Sequence, residues 1–151
     1  MKQKVLFLCT GNSCRSQMAE GWLRHLAGDQ FDVLSAGTHP IGLNPYAVTV
    51  MGEVGVDISS HVSERVDQYL EQHFDHVITV CNRAHETCPI FPNASTMLHW
   101  SFVDPAKAKG TYEQQIIVFR KTRDEIGDQI RRFIASKKGV MRETFSYPYR
   151  G

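Results

Sequence analysis

An α/β fold, built on a four-stranded parallel sheet with helices on both faces, is predicted by this 151-residue sequence. Three observations carry the prediction. The run Val5-Leu6-Phe7-Leu8 is continuously apolar, as a strand buried on both faces must be, and such strands belong to parallel sheets. Strand and helix periodicities then alternate along the chain. No repeat, linker or shift in composition interrupts them, so residues 1–137 form one domain and residues 138–151 a C-terminal extension.

The first strand spans residues 4–9 and the first helix residues 16–27, with Met18, Ala19, Trp22, Leu23 and Leu26 as its apolar stripe and Gly28 closing it. Residues 31–36 form the second strand. Asn44-Pro45 is an N-cap followed by a first-turn proline, opening a helix to about Val54 that turns Val48 and Met51 inward. A further helix is predicted over residues 64–73. The third strand, residues 76–81, ends on a thiol, because the apolar run stops at Cys81 and Asn82-Arg83 follows. Residues 82–95, with Pro89 and Pro92, form a loop with room for a helical turn, and residues 96–100 are the fourth strand. Asp104-Pro105 marks a turn. Residues 111–137 carry the longest helical pattern, with Tyr112, Ile116, Phe119, Ile126, Ile130 and Phe133 on one face. The tail is basic and aromatic without periodicity, and disorder is the expectation for it.

Composition narrows the function classes. With 42% hydrophobic and 22% charged residues and a net charge of +1, the chain reads as a globular protein with no case for nucleic acid. The apolar stretches are strand-length and the first residues lack a signal-peptide layout, so a cytoplasmic protein without a membrane span is expected. Four cysteines in a reducing compartment point to redox, catalytic or metal chemistry more than to a disulfide framework.

Cys9-Thr10-Gly11-Asn12-Ser13-Cys14-Arg15-Ser16 joins the first strand to the first helix. Five residues between Cys9 and Arg15 let the loop curl around a tetrahedral anion, with the sulfur below it and the guanidinium fork beside it. Small residues let backbone N–H groups converge, and the helix end adds its positive pole. A thiol so placed should ionise easily. By itself the spacing is a weak signal; the strand before it and the helix after it give it weight. At the ends of neighbouring strands stand Cys81 and Asp104. Cys81 and Cys88 enclose six residues and can be read as a redox pair or as two packing cysteines. A zinc site of Cys9, Cys14, Cys81 and Cys88 is disfavoured, since neither spacing is a knuckle and Arg15 would crowd a metal. Asp104 is either a turn residue or the carboxylic acid that protonates a departing oxygen. His39, His85 and His99 read as surface or packing residues, and Arg131-Arg132 and Lys137-Lys138 as a solvated helix face.

The loop, continuing through Gln17-Met18-Ala19-Glu20-Gly21-Trp22, is accompanied by Ser35-Ala36-Gly37, Gly42-Leu43-Asn44-Pro45, Gly55-Val56-Asp57-Ile58-Ser59, Cys81 with Cys88-Pro89, His99-Trp100, Asp104-Pro105 and Arg123-Asp124-Glu125-Ile126. Together, over residues 4–137, they resemble the thioredoxin-coupled arsenate reductases of arsenical resistance, which share the low-molecular-weight protein tyrosine phosphatase fold. The resemblance implies that Cys9 attacks arsenate held by the loop amides and Arg15, that Ser16 stabilises the thiolate, that Asn12 shapes the loop and that Asp104 is the acid. It implies that Cys81 then attacks Cys9, expelling arsenite, and that Cys88 attacks Cys81, leaving a disulfide for reduced thioredoxin. Cys14 would be a bystander. No cofactor is implied as bound, but a potassium ion is a candidate where Asn12, Glu20, Ser35 and Glu64 match the cation ligands of some members; Glu64 stands in place of an aspartate. Residues 107–111 and the tail are longer than in the shortest members. The implied partners are arsenate and thioredoxin.

Two other functions would use the same loop. A phosphotyrosine phosphatase would form a phospho-Cys9 intermediate, but has no need of Cys81 and Cys88 and usually places aromatic residues after Asp-Pro, where this chain has Ala106-Lys107-Ala108. A redox- or oxyanion-sensing module would respond by moving residues 82–95 without turnover.

Overall fold

The computed structural model describes residues 2–82 and 90–137. Four strands, β1 (Gln3–Cys9), β2 (Phe31–Gly37), β3 (Phe74–Thr79) and β4 (Ala94–His99), form one sheet in the order β2-β1-β3-β4. All three pairings are parallel. Among the described residues three α-helices accompany them, α1 (Arg15–Ala27), α2 (Pro45–Glu53) and α3 (Tyr112–Lys137). The chain leaves β1 toward β2 on one side and later returns to β3 on the other. Strand order therefore reverses at β1, and the C-terminal end of that strand is the switch point at whose crevice open α/β sheets place their sites.

Burial follows the two faces of the central strand. Val5, Phe7 and Cys9 share a core with Met18 and Leu23 of α1, Val50 and Met51 of α2, and Ile116, Phe119 and Ile126 of α3. Leu6 and Leu8 face the other way, with Val66, Phe74, Val77 and Phe91. That second face is covered, among the described residues, by a single 3-10 turn, Val66–Tyr69, and not by the helix predicted over 64–73. Tertiary contacts prevent the longer helix: Arg65 is extended and bridges to Gly37, while the Glu64 carbonyl accepts the Gly37 N–H at 2.9 Å.

Other boundaries shift by one or two residues. β3 begins two residues before the predicted strand, because Phe74 anchors the second core and its N–H donates to the Asn93 carbonyl. Leu26 is 38% exposed and Ala27 takes its place in the core. In α2, Asn44 caps as expected, accepting the Tyr46 N–H, but Ala47, Val50 and Met51 are the buried positions, with Val48 only partly covered. Tyr112, on the predicted apolar face of α3, is 50% exposed and packs edge-on against Tyr46. Nor is the basic end of α3 simply solvated. Arg131 lies over the Trp22 ring and Lys137 over that of Phe133. Gly127 lets this packing close, since a Cβ there would sit 2.8 Å from the Trp22 indole. Among the described residues, no helix is long and apolar enough to cross a membrane.

Candidate active site

β1 carries Cys9 to the crevice, where the thiol is buried at 2% exposure. Residues 10–14 then curl, and the scaffold holds each of their carbonyls from outside. The Thr10 carbonyl accepts the His39 N–H at 2.9 Å, Gly11 that of Ile41 at 3.0 Å and Ser13 that of Asn44 at 3.1 Å. The Cys14 carbonyl accepts the Met18 N–H at 2.8 Å, the first bond of α1. The carbonyl of Asn12 accepts from the Gln17 amide at 3.1 Å and the Ser63 hydroxyl at 2.6 Å. Each peptide plane points its N–H opposite its C=O, so carbonyls turned outward leave the N–H groups of residues 11–15 facing into the curl. No side chain caps the start of α1, leaving its first donors to the same space.

Asn12 is the hub of the loop. It is fully buried with φ +47°, a left-handed conformation that asparagine tolerates. Its Nδ2 donates to Ser16 Oγ at 2.8 Å and Ser35 Oγ at 2.9 Å, and its Oδ1 accepts the Glu64 N–H at 2.7 Å. An amide nitrogen only donates, so each serine accepts from Asn12 and sends its own proton elsewhere. For Ser35 the acceptor is Glu20 Oε1, 2.6 Å away. For Ser16 it is the Cys9 sulfur at 3.1 Å. Once Cys9 is ionised its sulfur can only accept, so Ser16 donates to it, the direction that stabilises a thiolate.

Arg15 is 4% exposed; its Nη1 donates to the Phe102 carbonyl at 3.2 Å and its Nη2 lies 3.6 Å from Asp104 Oδ2. Asp104 is itself positioned as the cap of a second 3-10 turn, Pro105–Lys107, accepting the Ala106 N–H at 3.0 Å. The structure therefore brings Cys9, the loop, Arg15 and Asp104 to one crevice. Cys81 follows β3 in the same crevice: Thr79 pairs with Leu8, and Cys81 is buried in the core that contains Cys9. Cys81 is disulfide-bonded, whereas Cys9 and Cys14 are free thiols. Burial pushes the Cys14 thiol up to about 12, so it stays protonated. Cys88, His85 and the tail lie outside the described residues.

The residues matched to a cation site are engaged otherwise. Glu20 Oε2 meets Arg24 Nη2 at 2.5 Å, Ser35 donates to Glu20, Asn12 Oδ1 is taken by a backbone N–H, and Glu64 Oε1 accepts the Gln68 amide at 2.8 Å. Coordination needs oxygen lone pairs converging on one point. Here each of these oxygens already meets a protein donor and the Glu20 charge is balanced by Arg24, so the set is held together without an ion; among the described residues no cluster of three or more His, Cys, Asp or Glu is arranged for a metal.

Sequence reasoning missed the supports. Gln17, Ser63 and the Phe102 carbonyl reach the loop or its partners across up to 87 residues of chain, with no local pattern to reveal them, and the i,i+4 spacing of Glu20 and Arg24 does not reveal that the pair also holds Ser35 and Val33. Gly37 carried a signal, as the glycine ending Ser35-Ala36-Gly37. A Cβ there would fall 2.5 Å from the Thr10 carbonyl oxygen and 2.9 Å from the Asn12 nitrogen.

Comparison with known proteins agrees with this geometry. The family model for low molecular weight phosphotyrosine protein phosphatase matches residues 4–144. The arsenate reductase of Halalkalibacterium halodurans is 51% identical over 137 residues, covering 91% of this chain and 99% of that protein. A solved arsenate reductase in its oxidized state superimposes with a TM-score of 0.75 at 30% identity, over 89% of this chain and 98% of that one. The thioredoxin-dependent arsenate reductase of Corynebacterium glutamicum does so with a TM-score of 0.68 at 28% identity, over 89% of this chain and 61% of that one. The chain belongs to the low molecular weight phosphotyrosine protein phosphatase family, and it is half-identical to a protein named arsenate reductase.

Proposed function

We propose that the chain reduces arsenate to arsenite with electrons from reduced thioredoxin. Among the observations, one carries this reading furthest: a loop of inward N–H groups around a hydroxyl-supported Cys9, with a second cysteine, Cys81, already oxidised in the same core. The half-identical arsenate reductase and the thioredoxin-dependent structural neighbour support the substrate and the reductant.

The Cys9 thiolate attacks arsenic(V) held by the loop amides and Arg15, forming a sulfur–arsenic bond as one arsenate oxygen leaves as water, with its proton supplied by Asp104. Cys81, as a thiolate, then attacks the Cys9 sulfur. The sulfur–arsenic electron pair goes to arsenic, arsenite departs, and a Cys9–Cys81 disulfide forms. Cys88 attacks the Cys81 sulfur, releasing Cys9 as a thiolate and leaving a Cys81–Cys88 disulfide whose two-electron reduction by thioredoxin closes the cycle. Three thiols thus serve one oxyanion, which fits a reducing, cytoplasmic setting.

Arsenite formation, followed as NADPH oxidation with thioredoxin and thioredoxin reductase, tests the proposal beside hydrolysis of an aryl phosphate. Arsenate-dependent turnover that vanishes in Cys9→Ser is expected. Efficient aryl-phosphate hydrolysis with no arsenate-dependent NADPH oxidation would replace it with a phosphatase, and oxyanion binding with neither activity would replace it with a sensor.

A further inference from the structure

The Cys9 sulfur stands at the end of a hydrogen-bond chain that starts on a charged pair. Ser16 donates to Cys9, Asn12 donates to both Ser16 and Ser35, and Ser35 donates to Glu20. Glu20 is paired with Arg24, one turn along α1. We infer that Arg24 is a positioning residue for the Cys9 thiol, its guanidinium serving as the built-in counter-ion of Glu20 where a monovalent cation would otherwise be coordinated.

The fork of Arg24 is matched to three acceptors from three parts of the chain. Nη2 meets Glu20 Oε2 at 2.5 Å and the Val33 carbonyl of β2 at 2.6 Å, and Nη1 meets His61 Nε2 at 3.1 Å. His61 accepts there because its Nδ1 proton goes to Gln17 Oε1 at 2.9 Å, an oxygen that can only accept. Gln17 in turn holds the Asn12 carbonyl at 3.1 Å, so a second branch from Arg24 reaches the same loop residue. A planar guanidinium satisfies these directions together; a spherical ion has no such fork.

Charge makes the pair necessary. The Glu20 side chain is 11% exposed and that of Arg24 45%, so the carboxylate is nearly withdrawn from water while its partner reaches solvent. A buried carboxylate left alone must find another cation or move. If it moves, Ser35 loses its acceptor and Asn12 its fixed orientation, and Ser16 is no longer directed at the sulfur. If it captures an ion, the loop becomes dependent on that ion.

The inference rests on Cys9 being the nucleophile, but alkylation can test it without arsenate or thioredoxin. The reaction of Cys9 with iodoacetamide, followed on its own peptide by mass spectrometry, is compared in KCl and in choline chloride of equal ionic strength. Tm is measured in the same solutions. Wild type should give one rate and one Tm in both salts. Arg24→Gln should react about three- to tenfold more slowly in choline chloride, the worth of one hydrogen bond, and recover in KCl, while Arg24→Lys, which keeps the charge beside Glu20 but not the fork, falls between Arg24→Gln and wild type. A saturable, potassium-specific rise in the wild-type rate or Tm would overturn the inference, because an ion would then bind beside Arg24. So would an Arg24→Gln variant that loses Tm equally in both salts yet alkylates at the wild-type rate. A wild-type Cys9 that resists alkylation would overturn the nucleophile reading itself, a result distinct from a reactive Cys9 indifferent to Arg24.

Discussion

Hydrogen-bond direction at Cys9 assigns roles to single residues. Asn12 has only protons to give through Nδ2, so the Ser16 hydroxyl proton is left for the sulfur, and toward a Cys9 thiolate, which can only accept, Ser16 donates. Ser16→Ala therefore should slow alkylation of Cys9 by roughly tenfold, the effect of one buried hydrogen bond, and should also lower Tm, because a buried Asn12 Nδ2–H loses its acceptor. Asp104→Asn keeps the cap on Ala106 but cannot give a proton, so kcat for arsenate should fall by about 10²–10⁴ while oxyanion affinity is retained. Cys14 is buried and protonated, and the proposed relay does not use it. Cys14→Ala should keep most of the turnover, and a loss comparable to that of Cys9→Ser would show that the relay has been assigned to the wrong thiols. Residues at this scale were largely legible in the sequence, because Cys9, Asn12, Arg15 and Ser16 lie within eight consecutive positions. Ser63 and Gln17 were not, since what makes them matter is their contact with residues far along the chain, and Arg24 was not because its i,i+4 pair with Glu20 does not show that it also reaches Val33 and His61.

Among the elements, the join from β1 to α1 depends on β2 lying very close to it. Gly37 ends β2 under the loop, where any Cβ would press on Thr10 and Asn12. Gly37→Ala should cost about 1–3 kcal/mol by overpacking, read from the urea midpoint, and should weaken binding of a tetrahedral oxyanion because the loop must shift. Elements with strong internal patterns were legible: β1 from its apolar run, α3 from its stripe, and α2 from Asn44-Pro45. The predicted helix at 64–73 failed for a physical reason. Residues 62–65 spend their backbone and side-chain groups holding Gln17, Asn12 and Gly37, and only the next four residues remain to form a turn.

For the whole molecule, the sheet order brings three groups to one edge, Cys9 at the end of β1, Cys81 after β3 and Asp104 after β4, which the proposed mechanism uses as nucleophile, resolving thiol and acid. Stability should respond to pH through the imidazoles packed around this sheet. Burial, reinforced by Lys137, holds His76 below its ordinary value, and burial does the same to His61 despite the opposing charge of Glu20. The unfolded chain takes up those protons near pH 6.5, before the folded one does. Stability should therefore fall as pH drops below about 6.5, and His76→Gln should flatten that decline without abolishing it, as read from urea midpoints at pH 7.5 and 5.5. The strand alternation and the order of the chemistry were legible at this scale. The oxidised state of Cys81 was not, because sequence spacing alone allowed a redox pair or two packing cysteines.

The central claim is that Cys9, Cys81 and Cys88 act in succession on one arsenate. Arsenite released per enzyme, measured with thioredoxin, thioredoxin reductase and NADPH in wild type, Cys81→Ser and Cys88→Ser, tests it most directly. The relay predicts many turnovers for wild type, no steady turnover for either variant, and a trapped Cys9–Cys81 disulfide in Cys88→Ser. Sustained turnover by Cys81→Ser or Cys88→Ser would contradict it.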